Sequence, residues 1–232
     1  MRICSLFAVC LGIGFGNPVF AGEIVSARAE GPGLGTRDGT IELIPGLYDW
    51  LNNDNDNHGN WPFTLGNNAR GYGQPLNFDV FGYIDVVLTV DPVGGPNLPA
   101  TEHDFASSIF NNTDVPWTGI RLVLGTGVGQ AFSPLAPGTL DGLDFDDPDW
   151  DPRPPEAAIK FDLVYADPTV LEFGNDDLES EENETLHFYL DVPDNEANVN
   201  YDFTLRHVPL PEPASAGMMM VFASLLGRRR AG

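Results

Sequence analysis

Apolar and polar residues alternate with a period of two along several short stretches of the chain. In residues 83–90 every second side chain is apolar, beginning at Ile84 and ending at Val90. Such alternation is typical of a strand with one face in the core and the other in solvent. The pattern predicts strands at residues 40–44, 83–90, 104–110, 117–124, 158–165, 185–192 and 200–208, of which 40–44 and 104–110 are the least regular.

Glycine and proline separate these stretches, and no segment keeps a period of 3.6 over ten residues. We therefore predict an all-β domain at residues 22–208, an antiparallel β-sandwich of jelly-roll-like form, with an irregular β-barrel as the rival fold. Two long loops interrupt it, residues 45–77 rich in Asn, Gly and Pro, and residues 133–156 rich in Asp and Pro. Loops of this length inside a compact domain are usually functional, stabilised by a ligand or mobile.

Residues 1–21 have the pattern of a signal peptide. Arg2 precedes an apolar run at residues 3–15, and the small residue Ala21 stands just before Gly22. The run is short for a membrane span, and its glycines and Pro18 disfavour the alternative of a buried N-terminal helix. The pattern predicts export, with cleavage after Ala21.

The last 24 residues, 209–232, show three features in a fixed order. The triplet Pro211, Glu212 and Pro213 precedes an apolar stretch at residues 214–227, which a basic cluster closes. The cluster consists of Arg228, Arg229 and Arg230. Arginines that follow an apolar segment favour a cytoplasmic end, by the positive-inside rule. The 14 apolar residues are fewer than the ~20 that span a bilayer, so the helix needs neighbouring residues or a thinner membrane.

This C-terminal order resembles the PEP-CTERM sorting signal of Gram-negative bacteria. The resemblance implies an exosortase, a membrane protease that recognises Pro211, Glu212 and Pro213 and cuts nearby. It also implies that the mature domain reaches the cell surface or the extracellular matrix of a biofilm, and that membrane contact is limited to the C-terminal transmembrane helix. A plain tail anchor and an amphipathic terminal helix are the alternatives.

Composition narrows the chemistry of the region between the two signals. Both cysteines, Cys4 and Cys10, lie in the predicted signal peptide, so the domain has no thiol for disulfides, nucleophilic catalysis or zinc-thiolate sites. Residues 22–208 hold 33 acidic and 7 basic residues, an excess (33 − 7) of 26 negative charges. Nucleic acid is excluded as a partner by this charge, whereas divalent cations, a saline medium or a cationic polymer fit it. The alternative is that the charge simply keeps an exported domain soluble, and the charge on its own favours this interpretation.

A turn–strand–glycine motif occupies the centre of the chain. Asn111 and Asn112 open a turn, Trp117 begins a strand, and a glycine-rich run follows at residues 125–129. We expect the side chain of Trp117 to plug one end of the core. Together with the later Asp-Gly-Leu at residues 141–143, residues 111–145 resemble the choice-of-anchor domains of surface proteins. That resemblance implies extracellular display and no established catalytic residues. The glycine run lacks the Gly-Lys-Ser/Thr of a phosphate loop and predicts a strand-to-loop bend.

Two acidic loops are candidate calcium sites. Asp54 and Asp56 belong to an alternating run of oxygen-bearing side chains, although position twelve from Asp54 is leucine and not the glutamate of an EF-hand. A second cluster crowds five carboxylates into eight residues, and a bound cation would relieve their repulsion. We predict Ca²⁺ ligands at Asp54, Asp56, Asp144, Asp146 and Asp149, with a solvated loop as the alternative. A third acidic run, residues 176–184, predicts a solvated turn.

Three functions fit these patterns. The first is a non-enzymatic structural or interaction protein of the cell surface or matrix. The second is a calcium-assisted carbohydrate-binding module, with extracellular polysaccharide stacked on Trp50, Trp61 and Trp150 in the predicted loops. The third is a polysaccharide-acting hydrolase, which needs two facing carboxylates. Because the four histidines show no metal-ligand spacing and no Gly-x-Ser-x-Gly elbow occurs, we expect the first function and no enzyme.

Overall fold

A computed structural model of the chain describes residues 23–45, 70–72, 75–91, 100–136, 143–145, 155–193 and 199–212. These residues form two β-sheets, with two single-turn 3₁₀ segments at Pro32–Leu34 and Gly129–Ala131 and no α-helix among them. The coarse prediction of an all-β fold is therefore confirmed. The predicted signal peptide, both calcium loops apart from Asp144, and the apolar C-terminal segment lie outside the described residues.

The first sheet, sheet A, contains the last strand of the described residues, and this strand lies near the middle of the sheet. Its order is β12-β13-β8-β15-β6-β1-β2, with β9 pairing to β8, and these neighbouring strands all run antiparallel to each other. The strands are β1 Glu23–Glu30, β2 Thr40–Ile41, β6 Ile84–Asp91, β8 Trp117–Thr126, β9 Ser133–Pro134, β12 Asp162–Asp167, β13 Val170–Leu178 and β15 Tyr201–Pro211.

The second sheet, sheet B, is built around one long antiparallel pair of 12-residue strands that are far apart in the sequence. Its order is β10-β14-β7-β4-β3, with β11 pairing to β14 and β5 to β7. The strands are β3 Leu43–Pro45, β4 Arg70–Tyr72, β5 Leu76–Phe78, β7 Ala100–Asn111, β10 Asp144–Phe145, β11 Glu156–Ala157 and β14 Glu182–Pro193. Both β4 and β5 run parallel to β7, so the prediction of a purely antiparallel fold is wrong for this sheet.

One hydrophobic core joins the two sheets. Ile84 and Leu88 of sheet A and Phe105 and Leu186 of sheet B are fully buried in a single cluster. The alternation predicted for residues 83–90, 185–192 and 200–208 is confirmed, because every second side chain of those strands lies in this core. The two sheets therefore pack face to face, as in a β-sandwich.

Trp117 plugs the core, as the sequence predicts. Its side chain is fully buried at the start of β8 and meets the ring of Phe78 from β5 edge-on, with centroids 4.9 Å apart and planes at 78°. Edge-to-face contacts of this kind add to the stabilisation from buried area. The contact joins sheet A to sheet B at one end of the sandwich.

A β-bulge explains why the alternation of apolar residues at 158–165 predicts the wrong face for one side chain. The stretch 158–165 predicts one face for Phe161, Leu163 and Tyr165, but β12 begins only at Asp162 and its register shifts after Leu163. A bulge inserts one residue and turns the following side chains to the other face. Tyr165 is therefore 52% exposed, while Phe161 is buried.

The acidic run at residues 176–184 is only partly a turn. β13 continues to Leu178 and β14 starts at Glu182, so the turn is confined to the three residues between them. Glu184, predicted to be solvated, is fully buried. Short strands also lie inside both predicted long loops, namely β4 and the start of β5 in the first, and β9, β10 and the start of β11 in the second. Strands of two or three residues carry too little alternation to be recognised.

Candidate functional site

The C-terminal end of β15 brings the predicted sorting signal to the folded domain. β15 lies between β6 and β8, and its last residue, Pro211, pairs with Trp117 of β8 after a register shift that follows Leu210. The hydroxyl of Thr118 lies 3.4 Å from the carbonyl oxygens of both Leu210 and Pro211. The strand therefore extends three residues beyond position 208, where we placed the end of the domain, and it includes the first proline of the triplet.

A groove of about 590 Å³ opens beside this exit. β13 bulges away from β8 between Gly174 and Leu178, and Asn175 adopts a left-handed φ of 73° within the bulge. The bulge exposes Asp176 and Asp177 at the groove, opposite Leu210. The surface next to the strand exit is therefore acidic and open.

A buried asparagine fixes the turn that leads into β8. Asn111 donates from Nδ2 to the carbonyls of Val115 (3.0 Å) and Leu178 (2.9 Å). Its Oδ1 accepts from the amide (3.0 Å) and hydroxyl (2.7 Å) of Thr113. All four bonding positions of the amide are filled, as a buried polar group requires. The asparagine turn of the central motif is therefore a scaffold element that aligns β7, β8 and β13.

The glycine run at residues 125–129 bends over the outer face of sheet A. Gly127 and Gly129 have φ angles of 72° and 60°, which side-chain-bearing residues rarely adopt. The amide of Gly129 donates to Asp85 Oδ2 (2.7 Å), and its carbonyl accepts from Arg206 Nη2 (2.8 Å). The predicted strand-to-loop bend is confirmed, and the Gly129 amide that a phosphate would use is bonded to a carboxylate.

Asp85 and Arg206 form the ionic centre of this face. They are register partners on β6 and β15, and the guanidinium binds the carboxylate in two places, Nε to Oδ1 at 2.6 Å and Nη2 to Oδ2 at 2.8 Å. The guanidinium also lies between two rings, 4.1 Å from the Tyr83 centroid and 3.8 Å from that of Phe132. Bidentate pairing and stacking are the interactions in which Arg surpasses Lys. The cluster clips the loop at residues 127–132 onto the sheet.

A second buried carboxylate holds the segment that enters β12. Glu184 accepts from the backbone amides of Ile159 (3.0 Å), Lys160 (2.5 Å) and Phe161 (3.2 Å), and from that of Thr185 (2.8 Å). The Lys160 side chain reaches the other way, to the Glu182 carboxylate and the Asp177 carbonyl. Its hydrogen bond to Glu182 raises the pKa of Lys160. The chain's one lysine is thus engaged in the scaffold.

Asp144 is the one predicted calcium ligand among the described residues. It lies in β10 directly opposite Asp191 of β14, a like-charge pair in register. The described ranges contain no group of three His, Cys, Asp or Glu side chains that could hold a metal ion. Asp54, Asp56, Asp146 and Asp149 lie outside those ranges, so the calcium site stays a prediction.

The structure leaves the carbohydrate platform and most of the sorting signal untested. Trp50, Trp61 and Trp150 lie outside the described residues, as do Pro213, Arg228, Arg229 and Arg230. Of the histidines, His103 and His207 are buried core residues. Sequence reasoning missed the pairing of Asp85 with Arg206, although Asp85 is the one charged residue of 83–90 and Arg206 the one arginine of 200–208.

Within the part of the chain that the structure describes, no helix is long and apolar enough to cross a membrane. No protein-family model, curated protein or solved structure matches this chain.

Proposed function

We propose that this chain is an exported protein with a non-enzymatic structural or interaction role, displayed at the cell surface or in the extracellular matrix of a Gram-negative bacterium. A signal peptide at residues 1–21 directs export, and the C-terminal segment from Pro211 onward is an exosortase-type sorting signal. The domain between them, a β-sandwich of jelly-roll-like form, is the part that remains outside the cytoplasmic membrane.

One observation carries the proposal. β15 is an interior strand of sheet A, and it ends at Pro211, the first of the three predicted recognition residues, so that the chain leaves the sheet within the triplet. A sorting signal joined in this way presents its recognition residues at one end of the folded domain. An attachment made there leaves the two sheet faces and the other end of the sandwich accessible to partners.

The use of buried charge supports a structural role. Among the described residues, Asp85 is neutralised by Arg206, and Glu184 is surrounded by backbone amides. Catalytic groups are ordinarily held in a cleft with room for a substrate beside them. These two carboxylates instead fasten loops to the sheets, which suits a rigid display domain.

The test is to express the full chain in a Gram-negative host with and without an exosortase-type protease. Surface protease digestion and the mass of the purified chain report location and processing. We expect a surface-exposed product that lacks residues 1–21 and is cut near Pro213 only when the protease is present. Glu212→Gln should reduce cutting, whereas Glu179→Gln, an exposed acidic residue in the β13–β14 turn, should not.

An uncut chain in the cytoplasm, with the mass of all 232 residues, would contradict the proposal. Equal processing of the Glu212→Gln and Glu179→Gln chains would contradict the assignment of Glu212 to the signal.

A further inference from the structure

The ends of sheet A set the direction in which a tethered domain would be pulled. β1 and β15 are both antiparallel to β6, and they are therefore parallel to each other. Glu23 and Tyr201 lie level with adjacent residues of β6, Asp91 and Val90, while Pro211 lies at the opposite end. The domain's first strand thus starts roughly 30 Å from the point where its last strand ends, measured along the strand direction.

Force between these two ends acts along the strands. Ladder hydrogen bonds lie perpendicular to the strands of an antiparallel pair. A pull along the strand axis therefore loads all bonds of an interface at once, which is shear. A pull across the axis opens them one after another, as in a zipper. Every residue of β15 has a register partner on β6, β8 or both, so this strand has no unsupported section.

Side-chain contacts fasten β15 along its whole length. At its start, Asp202 accepts from the hydroxyl of Thr89 on β6 at 2.8 Å. In its middle, Thr204 donates to the Gly127 carbonyl at 2.8 Å, and Arg206 pairs with Asp85. Near its end, Thr118 of β8 contacts the carbonyls of Leu210 and Pro211.

The opposite sheet adds a further connection. His207 points into the core, where its Nε2 lies 3.1 Å from the hydroxyl of Ser107 on β7. Withdrawal of β15 along its axis must therefore break contacts to two neighbouring strands, to one loop and to the other sheet.

We propose that β15 is a load-bearing strand, through which tension on the C-terminal tether enters sheet A and is resisted in shear by β6 and β8. This inference rests on the proposed function, because attachment beyond Glu212 supplies the load. It assigns the domain a mechanical role, that of a link between the cell envelope and whatever holds its far end.

Single-molecule force spectroscopy on the full chain tests this directly. Cys4→Ser and Cys10→Ser remove the natural thiols, and two introduced cysteines carry the handles. Val25→Cys with Glu212→Cys pulls along β15, since Val25 is exposed near the start of β1. Asp114→Cys with Glu212→Cys pulls the adjacent ends of β8 and β15 apart, since Asp114 is exposed just before β8.

At one loading rate we expect the rupture force to be about twofold or more higher for the Val25–Glu212 pair, because its hydrogen bonds break together. Chemical denaturation of both cysteine variants checks that their equilibrium stabilities agree. Equal rupture forces in the two geometries would overturn the inference.

A matched pair of substitutions gives a second measurement. Arg206→Lys weakens the fastening between β6 and β15, whereas Arg121→Lys alters an exposed ion pair with Glu172 between β8 and β13. We expect the first to lower the rupture force of the Val25–Glu212 pair and the second to leave it unchanged; equal effects would contradict a special role for β15. These measurements use purified chain, so failed surface display would refute the proposed function without affecting them.

Discussion

His207 and Ser107 join the two sheets through the core. The imidazole Nε2 of His207 on β15 lies 3.1 Å from the Ser107 hydroxyl on β7, and its Nδ1 lies 3.3 Å from the Leu205 carbonyl. Both side chains are buried. A neutral imidazole that donates from Nδ1 and accepts at Nε2 satisfies both contacts.

The first prediction concerns acid stability. Burial lowers the pKa of His207 from 6.5 to about 4, against the opposing effects of the Leu205 carbonyl and Asp85. Between these two values the unfolded chain binds the proton more readily than the folded chain does. The free energy of unfolding should therefore fall by about 3 kcal/mol as the pH drops from 6.5 to 4, and His207 should add no further loss below that. Urea denaturation at stepped pH measures this.

Other groups also titrate in acid, so a variant is needed to separate the contribution of His207 to the loss of stability. Hydrogen bonds from Arg37 and Asn112 lower the pKa of Asp79, so its stabilising effect is present above the unfolded pKa of 3.8 and is lost as the pH falls through the lower folded pKa. The double variant Ser107→Ala/His207→Leu removes both partners of the core contact and leaves Asp79 in place. Its stability should change less than that of the natural chain between pH 6.5 and 4; parallel curves would refute the assignment.

The second prediction compares two adjacent asparagines. Asn111→Ala removes four buried hydrogen bonds and leaves the Leu178 carbonyl without its side-chain donor, and we expect it to cost about 3 kcal/mol. Asn112 is exposed, and its side chain donates from Nδ2 to Asp79 Oδ1 at 2.8 Å. Asn112→Ala should therefore cost less than about 1 kcal/mol. Thermal and urea unfolding of both variants measure the difference, and similar losses would mean that the turn is not organised by Asn111.

The third prediction uses the same conservative change at two arginines. Arg206→Lys keeps the charge but loses the bidentate pairing and the stacking on Tyr83 and Phe132, while Asp85 stays fully buried. We expect a loss of about 2 kcal/mol. The Arg121 side chain is 47% exposed, and Arg121→Lys should cost less than about 1 kcal/mol. Equal losses in urea denaturation would show that the buried pair contributes no more than a surface one.

The sequence reveals the strands whose faces alternate without interruption. β6 and β14 each place an unbroken series of alternate side chains in the core, which local spacing alone predicts. β1 escapes detection because its register shifts between Ile24 and Ser26, so that its buried residues Ile24 and Ala29 stand an odd number of positions apart. β13 escapes for a related reason, because the bulge before Leu178 is acidic and resembles a loop.

The order of strands in the sheets is beyond local reasoning. Nothing in the spacing of residues 83–90 and 200–208 indicates that β15 inserts between β6 and β8, and so the pairing of Asp85 with Arg206 could not be foreseen. These contacts join residues 121 positions apart. The predicted calcium and tryptophan sites were derived from loop composition, which gives chemical character but no three-dimensional position.

The fourth prediction concerns the buried carboxylate of Glu184. Glu184→Gln preserves shape but replaces one acceptor oxygen by an amide group, which then faces the backbone N–H groups of Ile159 and Thr185 or those of Lys160 and Phe161. Two donors in contact cannot bond, and we expect a loss of about 3 kcal/mol. Hydrogen exchange should accelerate at the amides of Ile159, Lys160 and Phe161 well before exchange in β14 changes. Glu179→Gln, in the exposed turn between β13 and β14, should leave exchange at those amides unchanged. If both variants exchange alike, the carboxylate does not hold this segment.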